Sequence, residues 1–259
     1  SKPDNVLNTW PRLITALEDH GDFGNRIDGN KFLKERVSPI IKGKSSELEK
    51  AVAIYDELKE KVLWNGSYRL FADDKFEDVY KDGTGSSAEI NLTLVQMLRE
   101  AGLSSSPVIL STRDNGEIID LYPITTQFNH TIAYVEADGN AYLLDATDKD
   151  RPYTLLPPNI MNGKGLQIDG DRSRWLTLAS STLNKSRQMM NIVLDENGNM
   201  SGSIEAVKEG QLSVNAGKAM TDEENRDDYI LTNYKGITID SVEVKESGSA
   251  EKTSYKAHF

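Results

Sequence analysis

Apolar residues fall at helical spacing in the first hundred positions of the chain and at strand spacing after them. Residues 8–20 and 30–41 read as short helices, separated by a loop rich in Gly and Asp, GDFGNRIDGN. A third helix is predicted to start at Ser46. Ser46 and Glu49 have the S-x-x-E spacing of a capping box, in which each side chain accepts the other residue's backbone amide. Leu48, Ala51, Val52, Tyr55, Leu58 and Val62 then share one face, as far as Trp64-Asn65-Gly66. A short helical stretch, Phe76 to Tyr80, leads into the loop Lys81-Asp82-Gly83-Thr84-Gly85. In the next helix Ile90, Leu92, Leu94, Val95, Met97 and Leu98 leave little of the circumference polar, which predicts a largely buried helix. Ser86 and Glu89 form a second capping box, which uses Ser86 as the cap and places Ser87 at the first helical position, its hydroxyl without an evident structural task. Gly102 marks the stop.

Beyond Gly102 the period shortens. Pro107 to Leu110 reads as an interior strand, and Asn115-Gly116 signals a tight hairpin into Ile118 to Tyr122. A second hairpin pairs His130 to Glu136 with Ala141 to Leu144 about Asp138-Gly139. Helices followed by an antiparallel sheet packed on a buried helix make an α+β layout. Strands at Met189–Leu194, Met200–Val207, Ile237–Val244 and the C-terminus, with a turn at Asn197-Gly198, predict a second, β-rich domain. The expected boundaries are residues 1–183 and 184–259, the second domain cut short.

At 259 residues, 37% of them hydrophobic and 27% charged, the chain can build an ample packed core. No apolar run approaches the roughly 18 residues that cross a bilayer. The opening SKPDNVLNTW lacks the features of a signal peptide, and a first residue of Ser suggests a piece excised from a longer protein. With 30 Lys plus Arg against 41 Asp plus Glu, the formal charge of -11 repels a phosphate backbone, so nucleic acid is not an expected partner. The absence of cysteine excludes disulfides, iron–sulfur ligation, thiolate zinc and a thiol nucleophile. No cofactor or metal site is expected. His20 and His258 show no partner pattern, and Asp195, Asn197 and Asn199 lack the Gly and bidentate Glu of a calcium loop.

The hairpin at Asp138-Gly139 also places chemistry. A two-residue turn there sets Ile132 opposite Asp145 and His130 opposite Thr147, so His130 and Asp145 share a face as diagonal neighbours about 7–8 Å apart. An Asp so placed takes the proton of one imidazole nitrogen and leaves the other to act as a base. Ser87 lies at a helix start, where free amides and the helix dipole stabilise a developing anion. Such a setting suits a cysteine, whose thiol pKa falls to about 3.5–7.5 beside a His and a helix N-terminus. A serine must instead lose its proton to the base during attack. Ser87, His130 and Asp145 are the candidate catalytic residues.

The segments that carry these residues resemble a family. Gly85-Ser86-Ser87-Ala88-Glu89 through Leu98-Arg99-Glu100-Ala101-Gly102-Leu103, Pro107 to Arg113, Phe128-Asn129-His130, Tyr142-Leu143-Leu144-Asp145-Ala146-Thr147, Leu155-Leu156-Pro157 and Trp175 look like the core of bacterial transglutaminase-like proteins. The resemblance covers roughly residues 8–180 and implies a papain-like fold. It also implies a cysteine at the helix start with a His base and an Asp orienter, acting by acyl transfer or amide hydrolysis. Carried over, it makes His130 the base, Asp145 the orienter and Ser87 the replaced nucleophile, and it implies a bacterial periplasm or envelope setting. Three readings follow. In the first the domain has lost acyl transfer and binds a peptide, a protein or another envelope component in its cleft. In the second it is an active serine amidase, peptidase or acyltransferase using Ser87, His130 and Asp145. In the third it is a structural module with a filled cleft. The sequence fixes no oligomeric state.

Overall fold

The computed structural model describes residues 9–28, 31–179, 182–246 and 251–259. The chain divides into two compact units, Ser1–Lys149 with Leu156–Ser180, and Asp150–Leu155 with Ser181–Phe259.

In the first unit the helices come first: α1 (Trp10–Glu18), α2 (Lys31–Ile40) and α3 (Glu47–Lys61). The strand β1 (Leu63–Trp64), α4 (Phe76–Asp82) and β2 (Thr84–Gly85) follow, and β1 and β2 pair in parallel. Helix α5 (Ser87–Glu100) is buried at every position from Ser87 to Leu98, as its apolar circumference predicts. Both expected capping boxes form, at Ser46 with Glu49 and at Ser86 with Glu89. Strands β3 (Ser104–Leu110), β4 (His130–Ala137), β5 (Asn140–Leu144), β6 (Lys164–Gln167) and β7 (Arg174–Thr177) form an antiparallel sheet in the order β5-β4-β3-β6-β7. Helix α5 packs on β3 and β4. Val108, Leu110, Ile132, Tyr134, Ile160 and Leu178 form a buried cluster on this sheet. The α+β class therefore holds.

The β4–β5 hairpin has the expected register, Ala137 opposite Asn140 and Ala133 opposite Leu144. Its turn residues Asp138 and Gly139 take φ of 49° and 76°, the left-handed pair that a two-residue turn requires. The Asp138 carboxylate also accepts the amides of Glu47 (3.1 Å) and Leu48 (3.2 Å), so the turn is fastened to the start of α3.

The hairpin expected at Asn115-Gly116 does not form. Both edges of β3 are taken, by β4 and β6, which leaves no place for a strand at residues 118–122. Arg113–Asn115 is instead a 3-10 turn, and the chain beyond it is held by side chains. Asn115 Nδ2 donates to Ser111 Oγ (3.0 Å), and Gln127 Oε1 accepts from the Ile119 amide (2.6 Å).

The second unit holds β8 (Lys185–Leu194), β9 (Met200–Glu209), α6 (Gln211–Ala219), α7 (Glu223–Asn233), β10 (Ser241–Glu246) and β11 (Lys252–His258). Its antiparallel sheet runs β10-β11-β9-β8. The two helices were not legible as such in the sequence. Gly210, at φ 67°, ends β9, and Met220 and Ile230 then pack with Ala206, Tyr255 and Ala257 in one core. Among the described residues no helix is long and apolar enough to cross a membrane, and no cluster of His, Asp and Glu could hold a metal ion.

Candidate functional site

His130 opens β4 and Asp145 directly follows β5, so the hairpin register brings them together. His130 Nε2 lies 3.1 Å from Asp145 Oδ2. His130 is 0% exposed and Asp145 2%. The other ring nitrogen, Nδ1, is buried and without a hydrogen-bond partner. The ring is covered on one side by Tyr68, edge to face at 5.0 Å between centroids, and Trp64 lies on Tyr68 at 4.8 Å.

The Asp145 carboxylate is held by more than the imidazole. Asn91 Nδ2 donates to Oδ1 (3.0 Å), and the Thr147 amide donates to the same oxygen (3.1 Å). Burial pushes this carboxyl up. The charge of His130 beside it, the bond from His130 and the bonds from Asn91 and Thr147 outweigh that, and the net direction is below the ordinary carboxylate value.

Asn91 was not singled out from the sequence, yet it joins three elements. Its amide also donates to the Thr131 carbonyl (2.9 Å), and its own carbonyl accepts the Ala146 amide (2.9 Å). It is 0% exposed and stands one helical turn after Ser87 on α5. A polar residue four positions from the candidate nucleophile, on a helix buried all round, was the signal that could have found it.

Ser87 takes its expected place at the start of α5 but is not free. Because β1 pairs in parallel with β2, the chain leaving Trp64 crosses the N-terminus of α5. Its residues 65–72, which form neither helix nor strand, make a strap. The Ser87 amide donates to the Ser67 carbonyl (3.0 Å). Ser87 Oγ accepts the Arg69 amide (2.9 Å) and donates to the Arg69 carbonyl (3.3 Å). The side chain is 0% exposed. The hydroxyl therefore has a structural task, contrary to the sequence reading, and its bonds run to the strap and not to His130. The strap is fastened elsewhere too, by Thr131 Oγ1 to the Leu70 carbonyl (3.1 Å) and by the Ala72 amide to the Asp22 carbonyl (3.0 Å). No sequence signal marks it, since its bonds use backbone groups that every residue has.

Chemically, the arrangement offers an oriented imidazole with one open nitrogen and a helix start whose first amide is already used. It lacks a hydroxyl poised on that nitrogen.

Residues 34–144 match the family model of the transglutaminase-like superfamily. The match takes in Ser87 and His130 and ends one residue before Asp145. Among curated proteins none matches the chain. Three solved structures are similar to it. A candidate protease from Parabacteroides distasonis is 10% identical, with a TM-score of 0.49, over 96% of this chain and 52% of that one. A candidate cysteine protease from Cytophaga hutchinsonii is 16% identical, with a TM-score of 0.38, over 66% and 55%. A TGase is 17% identical, with a TM-score of 0.33, over 56% and 35%. The chain thus spans about half the length of the first two and about a third of the last. What the comparisons give is therefore a segment, residues 34–144, that is similar to the transglutaminase-like superfamily and that carries Ser87 and His130.

Proposed function

We propose that this transglutaminase-like domain is non-catalytic and acts by binding a peptide or protein partner. The observation that carries the proposal is the state of Ser87, fully buried with its hydroxyl both accepting from and donating to the backbone of Arg69. Acyl transfer needs a nucleophile that can pass a proton to the His base and reach a substrate carbonyl. For Ser87 that requires both bonds to Arg69 to break and the strap to leave. It also requires serine oxygen to work in a setting that favours sulfur. The first amide of α5, an expected donor to a developing oxyanion, already bonds Ser67. A ligand seated directly over Ser87 gains no support from this geometry, because the strap stands there.

A second reading, an active serine amidase or peptidase, is favoured by His130. Its Nε2 is anchored by Asp145 while Nδ1 stays open, which is the orientation of a general base. A fluorophosphonate probe and a panel of peptide amides separate the two. The non-catalytic domain gives no labelling and no turnover that differ from those of Ser87→Ala. Labelling or turnover that disappears in Ser87→Ala overturns it.

A further inference from the structure

The sheet of the second unit ends in an edge that no described residue of that unit guards. Strand β8 is last in the order β10-β11-β9-β8, and all ten of its residues are exposed. The Asp195 amide donates to the Asn199 carbonyl at the hairpin end, and the ladder runs on from Leu194 opposite Met200 to Lys185 opposite Glu209. The odd-numbered residues of β8 therefore turn their backbone groups toward β9. The even-numbered ones, Ser186, Gln188, Met190, Ile192 and Leu194, turn theirs outward. Both faces beside this edge are apolar. Val193 is 64% exposed on one face, and Ile192 and Leu194 are 52% and 68% exposed on the other.

Proteins blunt such edges with charge, proline or a bulge. The opposite edge of this sheet is blunted: β10 carries Glu243 and Lys245 and a register shift between Val244 and Glu246. From Gln188 to Leu194, β8 has no charge and no proline. With one edge closed and the other open, pairing stops at two members and does not extend into a fibre.

The charges beside the edge point to the occupant. Lys185 and Arg187 share the single carboxylate of Glu209, at 3.5 and 2.8 Å, which leaves an excess positive charge at the start of β8. Asp195 and Glu196 follow its end. An antiparallel copy of the same strand brings opposite charges together at both ends. Centred on Asn191, it sets Arg187 against Asp195, Met189 against Val193 and Met190 against Ile192 of the second copy. The outward backbone groups then face each other in register.

We propose that β8 is a homodimerisation edge, at which two copies of the chain pair antiparallel about Asn191 and join their two four-stranded sheets into one.

The absence of cysteine makes a clean test available. In this register Asn191 faces its own counterpart in a non-hydrogen-bonded pair, with Cα atoms about 4.5 Å apart, within reach of a disulfide. Gln188 lies six positions from its counterpart, about 20 Å away. Under mild oxidation Asn191→Cys should convert largely to a covalent dimer on a non-reducing gel, while Gln188→Cys should not. Sedimentation velocity over a concentration series should show a monomer–dimer equilibrium for the unmodified chain. The double variant Met190→Lys with Ile192→Lys should remain monomeric throughout, with an unchanged far-UV circular dichroism spectrum. An unmodified chain that is monomeric across the series overturns the proposal and leaves the edge to a different protein strand. So does equal cross-linking of the two cysteine variants, or a dimer that survives the lysine pair.

Discussion

Ser87 and Arg69 hold each other through a reciprocal pair of hydrogen bonds, the Arg69 amide to Ser87 Oγ at 2.9 Å and Ser87 Oγ to the Arg69 carbonyl at 3.3 Å. Arg69 takes part through its backbone alone, so a side-chain substitution there should leave the strap in place. The position that resembles a nucleophile is thus an internal fastening between a helix start and the loop that crosses it.

Ser87→Ala tests this fastening. It removes the acceptor of the Arg69 amide and leaves that amide unpaired, a loss of about 1–3 kcal/mol. We expect a lower urea midpoint with an unchanged slope, and probe labelling no different from that of the unmodified protein. A neutral or stabilising effect would show that the hydroxyl does not hold the strap.

Asp145 sets the acid behaviour of the domain. Its carboxyl lies below its ordinary value of 3.8 despite burial, so the folded state favours the ionised form. A depressed folded value stabilises above the unfolded value, and that contribution disappears as the pH falls through the folded one. The stability difference between the unmodified protein and Asp145→Asn should therefore be constant from neutral pH to about pH 5 and shrink below about pH 4. Urea titrations of both proteins at several pH values measure it. A difference that grows in acid would reverse the assigned direction.

Asn91→Asp should show the opposite slope. It places a second carboxylate where the Asn91 amide now donates to Asp145 at 3.0 Å, and it removes the donor to the Thr131 carbonyl. Two buried carboxylates in contact cannot both ionise easily, so one takes a raised pKa. A raised folded value means stability lost at neutral pH and regained on acidification. The variant should be destabilised by about 2–4 kcal/mol at pH 7 and lose less, relative to the unmodified protein, near pH 5. Asn91→Leu should be destabilised without that recovery.

Much of this arrangement is written locally. Ser46 with Glu49 and Ser86 with Glu89 specify their helix starts through contacts three residues apart. Asp138-Gly139 fixes a register that carries His130 to Asp145 across fifteen residues. What the sequence conceals depends on distant backbone groups. The bonds of Ser87 reach back eighteen residues to Arg69, and main-chain donors have no residue signature. The Asn115-Gly116 pair failed as a hairpin signal because turn chemistry cannot report that β4 and β6 already occupy both sides of β3. Helices α6 and α7 were hidden because their buried faces are short and interrupted, and packing on β9 and β11 settles what propensity does not.

Gly202→Ala addresses the second unit separately. A Cβ on Gly202 would lie 2.0 Å from the Asn191 carbonyl oxygen and 3.0 Å from Phe259 Cζ. The first neighbour is backbone of the paired strand, so it cannot move aside without opening the β8–β9 ladder, where Ile192 stands opposite Gly202. Overpacking of this kind costs about 1–3 kcal/mol. All three tryptophans, Trp10, Trp64 and Trp175, belong to the first unit, so tryptophan fluorescence reports that unit while far-UV circular dichroism reports both. On heating, the variant should lose part of its dichroism signal at a lower temperature than the unmodified protein. The fluorescence transition should move less, because the clash lies wholly within the sheet formed by β8, β9 and β11. Equal shifts in both signals would mean that the two units unfold as one.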